Sequence, residues 1–124
     1  MIHLDTSLLI DALTGPRRSA RALRSALERG ERVGLSTLVL YEWLRGPRLL
    51  EEIEAQEALF PARAAVPFGP REAETAAGLY RDARRARGRE IDLAISACAI
   101  THDAALWTLD PDDFADISEL QLFE

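Results

Sequence analysis

The sequence predicts an α/β fold, a three-layer sandwich in which helices flank a central, mostly parallel sheet of four to five strands. Short apolar segments with strand character alternate along the chain with longer segments whose apolar residues recur at helical spacing. Such alternation is typical of a parallel sheet that helices cover on both faces. No repeat or low-complexity linker divides the 124 residues, so we expect a single domain over residues 1–124.

The first half of the chain is predicted to hold two strands and four helices. In chain order these are a strand at 1–4, helices over 6–14 and 20–30, a strand at 33–35, and helices over 37–44 and 48–60. The segment Asp5-Thr6-Ser7 supplies the N-cap of the first helix, and Ser36 or Thr37 caps the third. Gly-Pro pairs at 15–16 and 46–47 end these two helices.

The second half is predicted to hold three strands and two helices. In chain order these are a strand at 64–67, helices over 71–87 and 90–102, and strands at 105–109 and 117–123. Pro70 opens the long Ala-rich helix and Gly88 ends it, as these residues commonly do at helix boundaries. The segment Asp110-Pro111-Asp112-Asp113 is a turn former between the last two strands.

Composition narrows the class of protein. The chain is 48% hydrophobic and 29% charged, which is typical of a folded globular protein rather than a disordered one. No apolar run is long enough to cross a bilayer, and the N-terminus lacks the basic and apolar regions of a signal peptide. We therefore expect a cytoplasmic protein without membrane association. Cys98, the single cysteine, fits that compartment because it cannot form an internal disulfide.

All fifteen basic residues are arginine, in a chain whose net charge of −6 argues against a general nucleic-acid coat. The arginines form two clusters, one over residues 17–29 and one over 81–89. An Arg-rich chain without lysine is typical of a GC-rich genome. The clustering is also what guanidinium groups that grip phosphates or a partner's carboxylates would show. Both interpretations stay open.

Four acidic residues stand where an apolar stretch ends or opens: Asp5, Glu42, Asp92 and Asp110. Asp5 and Asp110 each follow a predicted strand, and ligands of open parallel sheets bind outside the carboxyl ends of the strands. If the four meet there, their oxygens suit a hard cation such as Mg²⁺ or Mn²⁺. Phosphodiester hydrolysis is the chemistry that such a metal most often serves.

Each of these acids also has a structural explanation. Asp5 could act only as an N-cap, Asp92 could complement a helix dipole, and Asp110 before proline could form a turn. Glu42 is harder to explain in that way, since apolar residues flank it and an unpaired buried carboxylate is costly. Because all four occupy consistent positions in the predicted topology, the combined pattern favours a site.

Four segments in this order resemble PIN-domain ribonucleases and, within them, the VapC toxins of toxin–antitoxin pairs. They are LDTSLLI at 4–10, YEWLRG at 41–46, DLAISA at 92–97 and LWTLD at 106–110 followed by Asp113-Phe114. The resemblance covers nearly the whole length. It implies a parallel sheet, a pocket for one or two Mg²⁺ or Mn²⁺ ions, and endonucleolytic cleavage of structured RNA such as transfer or ribosomal RNA. It also implies a homodimer and a cognate antitoxin protein.

The resemblance also assigns roles by position. The catalytic quartet would be Asp5, Glu42, Asp92 and Asp110. Asp5, Asp92 and Asp110 would be the metal ligands, with Glu42 and Asp113 acting through water. Thr6, Ser7 and Thr108 would support the pocket, with Ser7 standing where many relatives carry Asn. The substrate would be bound by arginines at the pocket mouth, for which the candidates are Arg17, Arg18, Arg45, Arg84 and Arg85. Either Glu42 or Asp110 could orient the attacking water as a base.

Two further interpretations stay open. Apolar side chains on the segment 38–60 could line a groove for the antitoxin or could be ordinary core: Trp43, Leu49, Leu50, Ile53 and Leu59. The alternative function is a PIN-like protein-binding module without nuclease activity. A haloacid-dehalogenase-like phosphatase is a weak alternative, because it needs a second Asp where this chain has Ser7, and a lysine where this chain has none.

Overall fold

The computed structural model describes residues 1–124 and contains three strands and six α-helices. The strands are β1 (Ile2–Leu4), β2 (Val33–Gly34) and β3 (Ala105–Trp107). The helices are α1 (Thr6–Leu13), α2 (Ala20–Glu28), α3 (Thr37–Arg45), α4 (Leu50–Leu59), α5 (Pro70–Asp82) and α6 (Glu90–Thr101). Two short 3-10 helices cover Ala62–Ala64 and Pro111–Phe114. The α/β class and a parallel sheet flanked by helices are therefore confirmed.

The sheet has three strands, so the expected four to five strands were too many. Its order is β2-β1-β3, and both pairings are parallel. The segments predicted as the other two strands each make a single parallel bridge, Ser36 to Val66 and Leu106 to Leu122. The first pairing goes no further because the next N–H that faces the partner, that of Phe68, donates to the Thr37 hydroxyl and not to a backbone carbonyl. The second segment begins with a turn, in which the Leu120 N–H bonds to the Ile117 carbonyl.

The central strand and the last long helix form the middle of the core. Ile2 and Leu4 of β1 are almost completely buried, as expected for a strand covered on both faces. Residues 93–99 of helix α6 are all buried, so the helix has no exposed polar face over this stretch. Cys98 lies in this buried stretch, and its burial raises the pKa of the thiol to about 11. The prediction of a buried, unreactive cysteine agrees with this position.

Helix α5 is shorter than the predicted 71–87, because it ends at Asp82. Its last buried residue is Leu79, and the arginines that follow are exposed, so only the small, partly buried side chains of Ala83 and Ala86 contact the core after it. Continuing the helix would also stack Arg81, Arg84 and Arg85 at three- and four-residue spacing, where like charges repel. The chain instead turns through residues 83–89, with Gly88 at a φ of +86°, a conformation that favours glycine.

The other helix boundaries agree with the prediction within about two residues. Ser36 caps α3 by accepting a hydrogen bond from the Val39 N–H at 3.2 Å. Trp43, a candidate for the antitoxin groove, is completely buried and belongs to the core. Leu49 and Leu50 of the same group are about two-thirds exposed, at 65% and 68%. None of the helices has the length and the apolar character that a membrane crossing requires.

Candidate functional site

The site lies at the carboxyl ends of β1 and β3, which are neighbours in the sheet. Asp5 follows β1 directly, and its backbone N–H donates to the Trp107 carbonyl of β3 at 2.9 Å. Thr108 follows β3 and therefore reaches the same edge. Parallel pairing alone brings these two residues together, although 103 positions separate them in the chain.

Asp5 occupies the N-cap position of α1, but its side chain does not cap the helix. The carboxylate oxygen Oδ2 instead accepts two hydroxyl hydrogen bonds, one from Thr108 at 2.7 Å and one from Ser7 at 3.0 Å. The side chain is buried, with only 6% of the residue exposed. Asp5 is therefore the N-cap residue of α1 by position, as predicted, but its carboxylate serves the contacts to Thr108 and Ser7 and does not cap the helix.

A small hydroxyl network holds these residues in place. The oxygens of Ser7 and Thr108 lie 3.3 Å apart, and each also accepts a backbone N–H from the chain after β3. The Leu109 N–H donates to Ser7 at 3.1 Å, and the Asp110 N–H donates to Thr108 at 3.0 Å. The two hydroxyls therefore connect the start of α1 to the turn that follows β3.

Glu42 reaches the same region from α3. Its Oε1 accepts a short hydrogen bond of 2.6 Å from the hydroxyl of Thr6, the first residue of α1. Its Oε2 forms an ion pair of 3.3 Å with Arg45, one turn later on α3. The Glu42 side chain is 18% exposed, so the carboxylate is partly desolvated and is compensated by one hydroxyl and one guanidinium.

The acidic side chains repel one another, and their pKa values show it. Burial raises the pKa of Asp5, the hydroxyls of Thr108 and Ser7 oppose that rise, and the Glu42 charge adds to it. For Asp92, burial is again the main cause, and the charges of Asp5, Glu42 and Asp113 raise its pKa further, to about 6. Arg89 opposes this shift only in part. Perturbed carboxylates gathered in this way are typical of functional sites.

Of the predicted quartet, Asp5, Glu42 and Asp92 come together. Asp110 is exposed, and its carboxylate is not among the main causes of the shifts at Asp5 or Asp92. Asp113, on the 3-10 helix Pro111–Phe114, is close enough to Asp92 to raise its pKa. Asp110 is thus connected to the cluster through its backbone N–H, which donates to Thr108, and Asp113 through its charge.

The donor set fits a hydrated hard cation. Its oxygens are of the kind that Mg²⁺ and Mn²⁺ prefer, and the repulsion among Asp5, Glu42 and Asp92 is what a cation would relieve. No three acidic, histidine or cysteine side chains lie close enough together to hold one ion between them. Mg²⁺ keeps several waters and often takes only one or two carboxylates, so this spacing suits it better than a metal that needs a complete protein cage.

The predicted RNA-binding arginines fall into three places. Arg45 pairs with Glu42 and so lies at the site. Arg84 and Arg85 line a recess together with Arg89 and Asp116. Arg17 and Arg18 lie in the exposed turn between α1 and α2 and form no ion pair with the acidic cluster. Arg17 instead borders an apolar groove between α1, α2 and α4.

Sequence reasoning missed the role of Arg89. Its guanidinium donates to both oxygens of Asp116, at 2.7 and 2.8 Å, and to the Asp113 carbonyl at 2.9 Å. These bonds fasten the start of α6, where Asp92 lies, to the chain after the 3-10 helix. The only sequence signal was the position of Arg89 before an acidic first turn, which does not identify a partner 27 residues away.

The sequence and the fold of the chain are similar to those of known proteins. The family model described as PIN domain matches residues 2–120. No curated protein sequence matches the chain. VapBC2 from Rickettsia felis, solved with a DNA fragment from its promoter, has a chain that is 21% identical, with a TM-score of 0.76 over 99% of this chain and 98% of that one. A chain of a toxin–antitoxin complex from Klebsiella pneumoniae is 24% identical, with a TM-score of 0.73 over 97% of this chain and 95% of that one. A chain of DNA-bound VapBC from Salmonella typhimurium is 18% identical, with a TM-score of 0.75 over 98% of this chain and 96% of that one.

Proposed function

The chain belongs to the PIN domain family, and from that membership we propose that it is a metal-dependent endoribonuclease, the toxin of a VapBC-type toxin–antitoxin pair. Its substrate would be structured RNA, such as transfer or ribosomal RNA. The observation that carries this proposal is the acidic cluster at the carboxyl edge of the sheet, in which Asp5 and Glu42 help to raise the pKa of Asp92 to about 6. A carboxylate cluster with so little internal compensation is suited to a divalent cation and a phosphodiester.

Each residue then has a defined task. Asp5, Asp92 and Asp110 would hold the cation, directly or through water, with Glu42 and Asp113 acting through water. A bound Mg²⁺ or Mn²⁺ would supply charge neutralisation at the scissile phosphate and would lower the pKa of a water molecule. Thr108 and Ser7 orient the Asp5 carboxylate, and Thr6 orients Glu42. Glu42 or Asp110 would take the proton of the attacking water.

The partner would be an antitoxin protein. The similar structures described as toxin–antitoxin complexes support this assignment. The chain also offers a groove of about 280 Å³ between α1, α2 and α4, lined by Leu13, Leu23, Leu27 and Leu59, with Arg17 and Arg24 at its border. We propose that an antitoxin segment lies there and that the toxin is a homodimer in the cytoplasm. Inhibition of RNA cleavage by the product of the neighbouring gene, and light scattering of the free protein, test these two points.

A second candidate is a PIN-like protein-binding module without nuclease activity. Two observations favour it: no three potential ligands converge, and Arg45 already neutralises part of the Glu42 charge. Such a module would bind a protein partner with affinity unchanged by EDTA and would cleave no RNA.

The deciding experiment is end-mapped cleavage of total cellular RNA by the purified protein, with Mg²⁺ or Mn²⁺ and with EDTA, alongside Asp92→Ala. Discrete cuts that require the metal and disappear in the variant are the expected result. Asp112→Ala is the matched control, because Asp112 is exposed and is not among the main charges that act on Asp92. A folded, partner-free protein that makes no cuts under any metal condition would reject the nuclease in favour of the binding module.

A further inference from the structure

A recess lined only by charged residues adjoins the acidic cluster. Its walls are Arg84 and Arg85 from the turn after α5, Arg89 before α6, and Asp116, and its volume is about 480 Å³. No apolar or aromatic side chain takes part in the lining. This surface is unusual in a chain whose net charge is −6.

The charges in the recess do not balance. Arg89 is held by Asp116 through a bidentate pair and by the Asp113 carbonyl, so its guanidinium is fixed in place. Arg84 and Arg85 are exposed, and neither side chain has a hydrogen bond or an ion pair. Three guanidinium groups against one carboxylate leave two positive charges without a partner. These two side chains are free to receive an anion.

The recess is joined to the acidic cluster by covalent and hydrogen-bonded connections. Arg89 precedes the first turn of α6, which carries Asp92. The Asp113 carbonyl that accepts from Arg89 belongs to the residue whose carboxylate raises the pKa of Asp92. An anion in the recess would therefore lie beside the acidic cluster and within the reach of one bound polymer.

We propose that the recess formed by Arg84, Arg85 and Arg89 binds a backbone phosphate of the RNA substrate, next to the bond that is cleaved. Arg84 and Arg85 contact the phosphate, and Asp116 positions Arg89 behind them. Planar guanidinium groups bind phosphate oxygens in pairs, which suits two adjacent arginines. Because no aromatic or apolar side chain lines the recess, the contact reads the backbone and not the base. This proposal rests on the ribonuclease function and names the surface that places the strand.

Phosphate is favoured over the carboxylates of an acidic protein segment. A protein segment would be expected to bury apolar side chains beside its charges, and the recess offers no apolar wall. An RNA strand needs only positive charge from the recess. The recess would hold one backbone phosphate while the neighbouring phosphate faces the acidic cluster. Polyglutamate therefore serves as the competing probe in the test.

The test measures binding of labelled single-stranded RNA of mixed sequence in EDTA, where cleavage cannot intervene. The double variant Arg84→Gln/Arg85→Gln is compared with the parent and with Arg87→Gln, an exposed arginine of the same turn that does not line the recess. We expect the double variant to bind at least about tenfold more weakly and its salt slope to fall by about 1.4, since each phosphate contact on a single strand contributes about 0.7. Arg87→Gln should match the parent, and thermal unfolding should show all three proteins folded.

The outcomes separate this proposal from the function on which it rests. If the parent cleaves RNA and the double variant keeps the parent's affinity, salt slope and KM, the recess is not a phosphate site although the nuclease stands. If RNA binding falls in the double variant but the parent never cleaves, the recess is supported and the nuclease is rejected. If the variant loses affinity for polyglutamate and keeps it for RNA, the recess binds protein carboxylates. A parent that neither binds nor cleaves RNA overturns both proposals.

Discussion

Single hydroxyl groups determine the chemistry of the acidic cluster at the residue scale. Thr108 and Ser7 both donate to one oxygen of Asp5, which holds the pKa of this buried carboxyl lower than burial alone would. The hydroxyl of Thr6 likewise orients the Glu42 carboxylate, to which it donates a hydrogen bond of 2.6 Å. The hydroxyls orient both carboxylates, and those of Thr108 and Ser7 oppose the rise that burial causes in the pKa of Asp5.

Thr108→Val should weaken the proposed site without changing its shape. The variant loses the donor to Asp5 and the acceptor for the Asp110 N–H, so the pKa of Asp5 rises further. We expect kcat/KM for RNA cleavage to fall roughly tenfold, which corresponds to about 1.4 kcal/mol. Calorimetric titration with Mn²⁺ should show its binding shifted to higher pH. Thr108→Ser keeps the hydroxyl and should behave like the parent; equal effects of Ser and Val would refute a role for the hydroxyl.

Asp92→Asn should stabilise the metal-free fold. The folded pKa of about 6 lies above the ordinary 3.8, so folded Asp92 binds a proton more tightly than the unfolded chain does. The contribution of protonated Asp92 to the free energy of unfolding is therefore fully present below pH 4 and is lost as the pH rises through 6. Such a shift corresponds to at most about 3 kcal/mol, and solvent around this partly exposed group reduces it to about 1 kcal/mol.

Urea unfolding in EDTA at pH 4.5 and pH 7.5 checks this expectation. The Asn variant should exceed the parent in unfolding free energy at pH 7.5, with a smaller difference at pH 4.5. Glu74→Gln, at an exposed position of α5, is the control and should follow the parent at both pH values. A loss of stability at pH 7.5 in Asp92→Asn would mean that the charge of Asp92 is well compensated in the fold.

That the charges of Asp5, Glu42 and Asp92 would interact at one edge of the sheet was predictable from the sequence, whereas the details of the grouping were not. Asp5 could be placed because it directly follows a strand, and the edge of a parallel sheet collects such residues. The hydrogen bond from the Asp110 N–H to Thr108 and the charge of Asp113 beside Asp92 depend on the course of the 3-10 helix, which a turn signal does not define. The role of Arg89 depends on a partner far along the chain, and no local pattern encodes it.

At the scale of elements, the start of α6 depends on one clamp. Arg89 connects this helix to Asp113 and Asp116, and its side chain is only 21% exposed. The 3-10 helix Pro111–Phe114 is otherwise held mainly by the burial of Phe114. The clamp therefore sets where the 3-10 helix lies against the acidic cluster.

Arg89→Gln should loosen the 3-10 helix more than the rest of the fold. The variant cannot make the bidentate pair with Asp116, and we expect a local loss of about 1–2 kcal/mol. Hydrogen exchange should become about tenfold or more faster at the amides of Asp113 and Ile117, which are bonded within this region. Amides of β1 should not change. Arg87→Gln is the control, and uniform acceleration across the whole chain would show that Arg89 supports global stability instead.

Helix ends were predicted best where a cap or a Gly-Pro pair marks them, as at Ser36 and residues 46–47. The end of α5 was predicted poorly, because alanine and arginine both favour helix locally. The helix ends there because the arginines would repel one another and because only the small side chains of Ala83 and Ala86 contact the core after Leu79. The outer strands were overcounted for a similar reason: an apolar extended segment looks the same whether it makes one bridge or a full ladder.

On the scale of the whole molecule, a buried histidine makes stability depend on pH. His3 lies in the central strand with 1% exposure, and neither ring nitrogen has a hydrogen-bond partner within the protein. Its ring packs 5.9 Å from that of His102, which faces Glu72 at 3.3 Å. Burial, then the charge of His102 and then the terminal amine lower the pKa of His3 to about 4. No local pattern predicts that His3 and His102, 99 positions apart, lie side by side.

Acid should therefore destabilise the fold through His3. Between pH 6.5 and 4 the unfolded chain binds a proton that folded His3 excludes, so the stability falls as pH is lowered through this window. We expect a loss of about 1–2 kcal/mol. Urea unfolding across pH 4–7.5 in the Asp92→Asn background removes the opposing trend of Asp92. Adding His3→Phe should flatten the remaining dependence; an unchanged slope would assign it to other groups.

The strand order β2-β1-β3 has a consequence for timing during synthesis. Of the three strands, the central strand β1 is synthesised before both of its neighbours. The neighbour β3 follows only after about a hundred more residues, as the separation of 103 between Thr108 and Asp5 shows. Contacts between such distant segments form late and slowly. A nascent chain therefore cannot complete the Asp5 and Asp92 cluster, with its Thr108 hydroxyl, before β3 has left the ribosome. For a chain proposed to cut RNA, this order of events keeps an unfinished copy harmless to the machinery that is making it.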